Sequence, residues 1–95
     1  DLARGDADLL DELAELALAR AARDDALDVA TLAGQPDALR GRVLLGWLRN
    51  HGSEATRIHV AAVDDLVLAW RGQGPVAVPG GSVKRIAGRL EWVAG

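Results

Sequence analysis

The chain reads as an α+β fold, mainly helical, in which three helices precede a small antiparallel β meander. Three observations predict it. Apolar residues recur at helical spacing over about 6–23, 36–50 and 57–71. After the breaker Gly72-Gln73-Gly74-Pro75 the period drops to two over about 76–93. Ninety-five residues suffice for one small domain, with residues 1–35 as a long acidic helix and connector and residues 36–95 as a helix-and-hairpin body, together one compact fragment.

The first helix, about 6–23, gathers Leu9, Leu10, Leu13, Leu16 and Ala17 on one face, with Asp8, Asp11, Glu12, Glu15 and Ala19 opposite. Acids come early, and Arg20 and Arg23 late, as the helix dipole favours. Asp24-Asp25 end this helix, and Leu27, Val29 and Leu32 fall in a short extended or irregular connection. Pro36 at a first helical position and Asp37 in the first turn start the second helix, and Gly52 suits its C-terminal cap. Leu39, Val43, Leu44 and Trp47 form its buried stripe. Arg42 and Arg49, two turns apart, project together from the other side, whereas Arg40 falls in the apolar sector and should snorkel or pair internally. Thr56 is an N-cap for the third helix, which should bury His59, Val63, Leu66, Val67 and Trp70 and expose Arg57, Asp64, Asp65 and Arg71. Val76 and Val78 then alternate, Pro79-Gly80-Gly81-Ser82 turns, and two more short strands flank Gly88. The helices should cover the edges of so small a sheet.

The apolar residues include no Phe, Tyr, Met or Cys, so Leu, Val, Ala and three tryptophans must fill the interior. Trp47, Trp70 and Trp92 are each expected to be buried structural anchors, because one indole covers a large area. Without cysteine there is no disulfide, thiolate chemistry or Cys-ligated metal, which suits the cytoplasm. No signal segment and no apolar run of about 18 residues is visible, so a membrane partner is not expected. The chain starts at Asp1 rather than Met and reads as a fragment. A formal charge of −3 conceals a split: residues 1–35 hold three Arg against nine acids, and residues 36–95 hold seven Arg and Lys84 against five. The first part would repel a phosphate backbone; the second is mildly basic.

No residue set supports catalysis. The acidic face of the first helix lacks the apolar surroundings that would shift a carboxylate pKa. His51 and His59 lie on different elements with no further ligand at metal-binding spacing, and His59 on an apolar face reads as a core histidine. Neither Ser53 nor Ser82 has a base and an orienting group beside it. Gly80-Gly81-Ser82 is a hairpin turn rather than a phosphate loop, since a strand and not a helix follows it. The positive signal is surface cations: Arg42, Arg49, Arg57, Arg71, Lys84, Arg85 and Arg89. Arginine can bind phosphate through paired hydrogen bonds and stack on a base.

Two segments resemble a known family. One is Leu39-Arg40-Gly41-Arg42-Val43-Leu44-Leu45-Gly46-Trp47-Leu48-Arg49, carrying a Leu-Arg-x-Arg-x-Leu-x-x-Trp-Leu pattern. The other runs from His59-Val60 through Trp70-Arg71-Gly72-Gln73-Gly74-Pro75-Val76-Ala77-Val78-Pro79-Gly80-Gly81 to Val83 and Gly88-Arg89-Leu90. In order and spacing these resemble the substrate-binding domain that follows the catalytic domain of bacterial tRNA(Ile)-lysidine synthetases, with the first helix matching a connector. The resemblance covers essentially the whole chain. It implies a parent ligase that uses ATP, with Mg, to adenylate the wobble cytidine of an isoleucine tRNA and then joins lysine to it. The family's Ser-Gly-Gly-x-Asp-Ser loop is absent here, so this chain is expected to hold tRNA(Ile) without binding ATP or transferring lysine itself.

What the resemblance leaves to the residues is the contact set. The candidates for tRNA are Arg42, Arg49, Arg57, Lys84, Arg85 and Arg89, with Arg40, Trp47, Trp70 and Trp92 assigned to structure. The remaining partners are the catalytic domain and, through the leucine face of the first helix, a second copy of the chain. Two other readings share the pattern: a winged-helix DNA binder, against which Asp64 and Asp65 on the presumed reading helix count, and a protein-interaction domain.

Overall fold

The first helix, α1 (Leu2–Ala21), packs an alanine stripe rather than a leucine stripe against the rest of the chain. The computed structural model describes residues 2–95, with side chains from Asp8 onward. Ala17 and Ala21 are buried, and Ala14 and Leu18 pack against the core beside them. These four sit at i, i+3, i+4 and i+7, one helical face. The expected leucine face points outward: Leu9, Leu13 and Leu16 are 54%, 42% and 61% exposed. Both stripes obey helical spacing, and the third helix in chain order decides between them. That helix lies along α1, and small side chains on the contact face let two backbones approach closely.

Residues 22–33 are more regular than the expected connection. β1 (Ala22–Arg23) and β2 (Ala26–Asp28) form a tight hairpin around Asp24-Asp25. Asp24 adopts a φ of 57°, a left-handed conformation that aspartate tolerates better than most residues. The carbonyl of Asp25 accepts from Trp47 Nε1 at 2.9 Å, which ties the hairpin to the core. A short helix, α2 (Val29–Ala33), follows, with Asp28 as its N-cap. The Asp28 carboxylate accepts from the Thr31 hydroxyl at 2.6 Å and the Thr31 N–H at 3.0 Å. These bonds, the hydroxyl first, hold its pKa below the ordinary carboxylate value, with smaller help from Arg23 and Arg89.

α3 (Asp37–Asn50) is the predicted second helix, with Pro36 at its N-cap and Gly52 at a φ of 85° beyond its end. It buries Val43, Leu44, Trp47 and Leu48. α4 (Arg57–Leu68) is the predicted third helix, three residues shorter. Gln73 marks its end: its amide donates to the carbonyls of Asp65 and Ala69, and its side-chain oxygen accepts from Arg71 N–H at 2.8 Å. Those bonds satisfy last-turn carbonyls and hold Trp70 and Arg71 outside the helix. At the start of α4, His59 acts as a capping residue rather than as core filling: its Nδ1 accepts from Thr56 N–H at 2.9 Å.

The predicted meander forms β3 (Val76–Val78), β4 (Gly81–Ile86) and β5 (Arg89–Ala94). The sheet is larger than the meander, because β2 adds to β5 through Leu27↔Leu90 and Asp28↔Arg89, giving the order β1-β2-β5-β4-β3, all antiparallel. Leu27, Val78, Val83 and Leu90 on one face close the core against Val43, Leu44, Leu48, Val63, Leu66 and Val67 from α3 and α4. Pro79-Gly80 forms the hairpin turn between β3 and β4, with Gly80 at a φ of 84° and Gly81 paired with Val78 as the first residue of β4. A Cβ on Gly81 would collide with Val93 O and approach the Trp92 ring to 2.8 Å, so only glycine fits there. Of the three tryptophans, Trp47 is buried, Trp92 is half-buried and stacks on His51 at 5.3 Å, and Trp70 is 41% exposed.

Candidate nucleic-acid interface

The cations of residues 36–95 fall into four settings. Arg40, on α3, is interior: it is 3% exposed and fully engaged with Asp64, Asp37 and the Gln35 carbonyl. Asp64 therefore faces Arg40, at 26% side-chain exposure, and is not on the open face of α4 as the periodicity suggested. The internal pairing expected for Arg40 is what the structure shows.

Arg42 and Arg49 share a face of α3, but α1 lies over it. Both line a cleft of about 330 Å³ between α1 and α3, together with Asp11, Glu15, Ala14 and Leu18. Arg42 Nη1 meets Asp11 Oδ1 at 3.0 Å. These two arginines thus share their cleft with two carboxylates, and an incoming phosphate would have to compete with Asp11 for Arg42. The competition is mild, because an exposed pair of this kind is worth little.

The sheet's outer face carries Lys84 and Arg89 among acids. Register places Lys84 opposite Glu91, and Arg89 opposite Asp28. Cross-strand neighbours on one face lie close enough for opposite charges to offset each other in part. Arg85 turns to the other side of β4, beside α4: its Nη1 donates to Leu66 O at 2.9 Å, and its guanidinium lies over the Trp70 ring, 4.9 Å from the centroid. The adjacent pair Lys84-Arg85 therefore serves two faces, as strand alternation requires.

Arg57, at the first position of α4, and Arg71, in the link after it, are both exposed. So the structure brings together Arg42 with Arg49, and Lys84 with Arg89, but it does not merge the six candidates into one patch. Sequence reasoning missed the pairing of Trp70 with Arg85. The signal was available in the breaker at residues 72–75, which could have placed Trp70 past the helix end rather than on its buried face.

Among the described residues, no group of three or more His, Cys, Asp or Glu is placed to hold a metal ion. No described helix is long and apolar enough to cross a membrane.

The sequence profile of the TilS substrate binding domain matches residues 27–91, from β2 to β5. The chain belongs to the TilS substrate-binding domain family. Among curated relatives, the tRNA(Ile)-lysidine synthase of Rhodococcus erythropolis is 49% identical over 80 residues, 83% of this chain and 25% of that protein. That of Mycobacterium leprae is 46% identical over 76 residues, 79% of this chain and 24% of that protein. The Mycobacterium tuberculosis synthase is 44% identical over 99 residues, 95% of this chain and 30% of its own length. The TilS-family match thus spans β2 to β5, the relatives' alignments extend it toward α1, and the chain spans about a quarter to a third of the curated relatives it resembles.

Proposed function

We propose that this TilS substrate-binding domain is the tRNA-holding part of a cytoplasmic tRNA(Ile)-lysidine synthase and performs no chemistry of its own. One observation carries the reading: the family match takes in α3, α4, β3, β4 and the paired parts of β2 and β5, in a chain whose relatives are synthases three to four times its length. The parent enzyme would be the ATP-dependent ligase that joins lysine to the wobble cytidine of isoleucine tRNA. Pro79-Gly80 joins two strands, with Gly81 and Ser82 opening β4, so this glycine pair presents no helix N-terminus to a phosphate. We assign the adenylation step to the rest of the synthase and positioning to this domain. A folded RNA is recognised largely by shape and phosphate contacts, and such contacts hold a distant reacting base in place.

The exposed cations support that role: Arg57 and Arg89 are open to solvent, Lys84 is half-exposed, and Arg42 and Arg49 line the α1–α3 cleft. Arg85 belongs to the same set, although its guanidinium is already engaged with Trp70 and Leu66 O. The leucine stripe of α1 we assign to contact with the remainder of the synthase, since most of a relative's length lies outside the matched part.

The test is binding of the 95-residue chain to labelled tRNA and to duplex DNA across a salt series. We expect weak binding to tRNA with a log–log salt slope of about −2 to −4, as a handful of neutralised phosphates gives. Preference for duplex DNA would replace this reading with the winged-helix one, and binding to neither would leave a purely structural domain.

A further inference from the structure

The longest acid-free stretch of the sequence runs from Leu66 to Leu90, which contains Arg71, Lys84, Arg85 and Arg89 and no Asp or Glu. Trp70 lies within it and is the most exposed of the three tryptophans at 41%. Two features make its position a built one. Arg85 braces the indole with a guanidinium 4.9 Å from the ring centroid, and is itself fixed by its bond to Leu66 O. Gln73 pins the segment that carries the ring, through Arg71 N–H and the carbonyls of Asp65 and Ala69. An indole left this open loses the burial that usually justifies a tryptophan, and a rigid support spares the entropy of ordering it on binding.

We infer that Trp70, braced by Arg85, is a stacking site for an unpaired nucleobase of the RNA, with the exposed Arg71 beside it for the phosphate. The inference rests on the tRNA-holding reading above and adds to it the residue that contacts a base. The charge around the ring selects the occupant. The cations beside the ring are Arg71 and Arg85, since Lys84 and Arg89 lie on the sheet's other face opposite Glu91 and Asp28. A polyanion is attracted by those two, whereas an apolar protein surface would gain nothing from them. An indole stacks only on a base released from its duplex, so the site takes single-stranded nucleotides rather than paired ones.

The experiment measures binding of the 95-residue chain to labelled tRNA, to a single-stranded oligoadenylate of about twelve nucleotides and to a blunt RNA duplex. Trp70→Ala should weaken binding to tRNA and to the single strand about tenfold, as loss of one stacked base does, without changing the salt slope. Arg71→Ala should lower that slope by about one. Trp70→Phe keeps a ring and should recover most of the affinity. The single strand should quench tryptophan emission in the wild-type chain and much less in Trp70→Phe, a readout that stands even where Trp70→Ala destabilises the fold. Wild-type binding to tRNA with unchanged affinity in Trp70→Ala, or equal quenching in wild type and Trp70→Phe, overturns the stacking site and leaves the tRNA reading intact. Failure of the wild-type chain to bind tRNA at all overturns that reading itself.

Discussion

Arg40 of α3 holds Asp64 of α4 through two parallel hydrogen bonds, Nε to Oδ1 at 2.6 Å and Nη2 to Oδ2 at 3.0 Å. The same guanidinium reaches Asp37 at 2.8 Å and the Gln35 carbonyl at 3.0 Å. One side chain thus joins the start of α3, the α2–α3 link and the middle of α4. Its pKa is raised further above its already high value, chiefly by the bond to Asp64, against the cost of desolvation. The planar fork is what lysine lacks.

Removing Arg40 should therefore be costly. Breaking a buried ion pair on one side costs about 3–5 kcal/mol, and the lower end applies because Asp64 keeps partial access to water. Arg40→Ala should lower the melting temperature by more than about 10 °C in thermal circular dichroism. Arg40→Lys should recover only a minor part of the loss. A melting temperature within a few degrees of wild type for Arg40→Ala would mean that packing alone joins α3 to α4.

The β4–β5 turn offers the opposite sign. Ala87 sits at a φ of 51° and Gly88 at 75°, so both central residues of this two-residue hairpin are left-handed. Such a turn favours Asn-Gly, and a Cβ in that region costs an alanine about 1–2 kcal/mol. Ala87 is exposed, leaving room for a larger side chain. Ala87→Asn should raise the melting temperature by about 4–8 °C, the equivalent of about 1 kcal/mol in a domain of this size. No gain, or a loss, would show that the bond from Val29 N–H to Gly88 O fixes the turn more strongly than its own preferences do.

The sequence disclosed the elements whose signals are local. α3, α4 and the three-strand meander announce themselves by period, by Pro36 and Thr56 at helix starts, and by the glycine-rich breaks. Arg40 was legible as an interior cation because it interrupts an apolar stripe. What stayed hidden depends on distant parts of the chain. The pairing of β2 with β5 joins residues more than sixty positions apart, and nothing near Leu27 specifies Leu90. α2 is only five residues long, too short to show a period, although Asp28 three residues before Thr31 was a readable cap. In α1 two apolar stripes compete, and only the approach of α3 selects the alanine one. The candidate site suffered the same limit: spacing put Arg42 and Arg49 on one face, but could not show that Asp11 and Glu15 share it.

Asp28 predicts part of the acid response. Its carboxylate is hydrogen-bonded in the folded state, so its folded pKa lies below its unfolded value. The stability it contributes is present above the ordinary carboxylate value of about 3.9 and is lost as pH falls through the depressed folded value. Asn caps helices nearly as well as Asp but does not titrate. Wild type should therefore lose more melting temperature than Asp28→Asn between about pH 5 and pH 3, because other acids titrate in both while this one titrates only in wild type. Parallel melting curves across that window would show that the Thr31 bonds do not discriminate the ionised form.

The leucine stripe of α1 leads to the last expectation. Leu9, Leu13 and Leu16 lie at i, i+4 and i+7 along an exposed face of α1, and Leu13 and Leu16 border a recess of about 260 Å³ with Pro36 and Leu39 at the start of α3. Scattered exposed leucines are ordinary, but a contiguous row of them at helical spacing is the pattern of a helix seam. If the rest of a synthase covers this face, the 95-residue chain leaves it bare, and two copies should pair through it. Sedimentation velocity over a concentration series should show a reversible monomer–dimer equilibrium. Leu13→Glu with Leu16→Glu should abolish the dimer and leave the melting temperature of the monomer close to wild type, because neither side chain supports the core. A wild-type chain that stays monomeric at all concentrations would show that the acids beside the stripe, Asp8, Glu12 and Glu15, repel a second copy more than the leucines attract it.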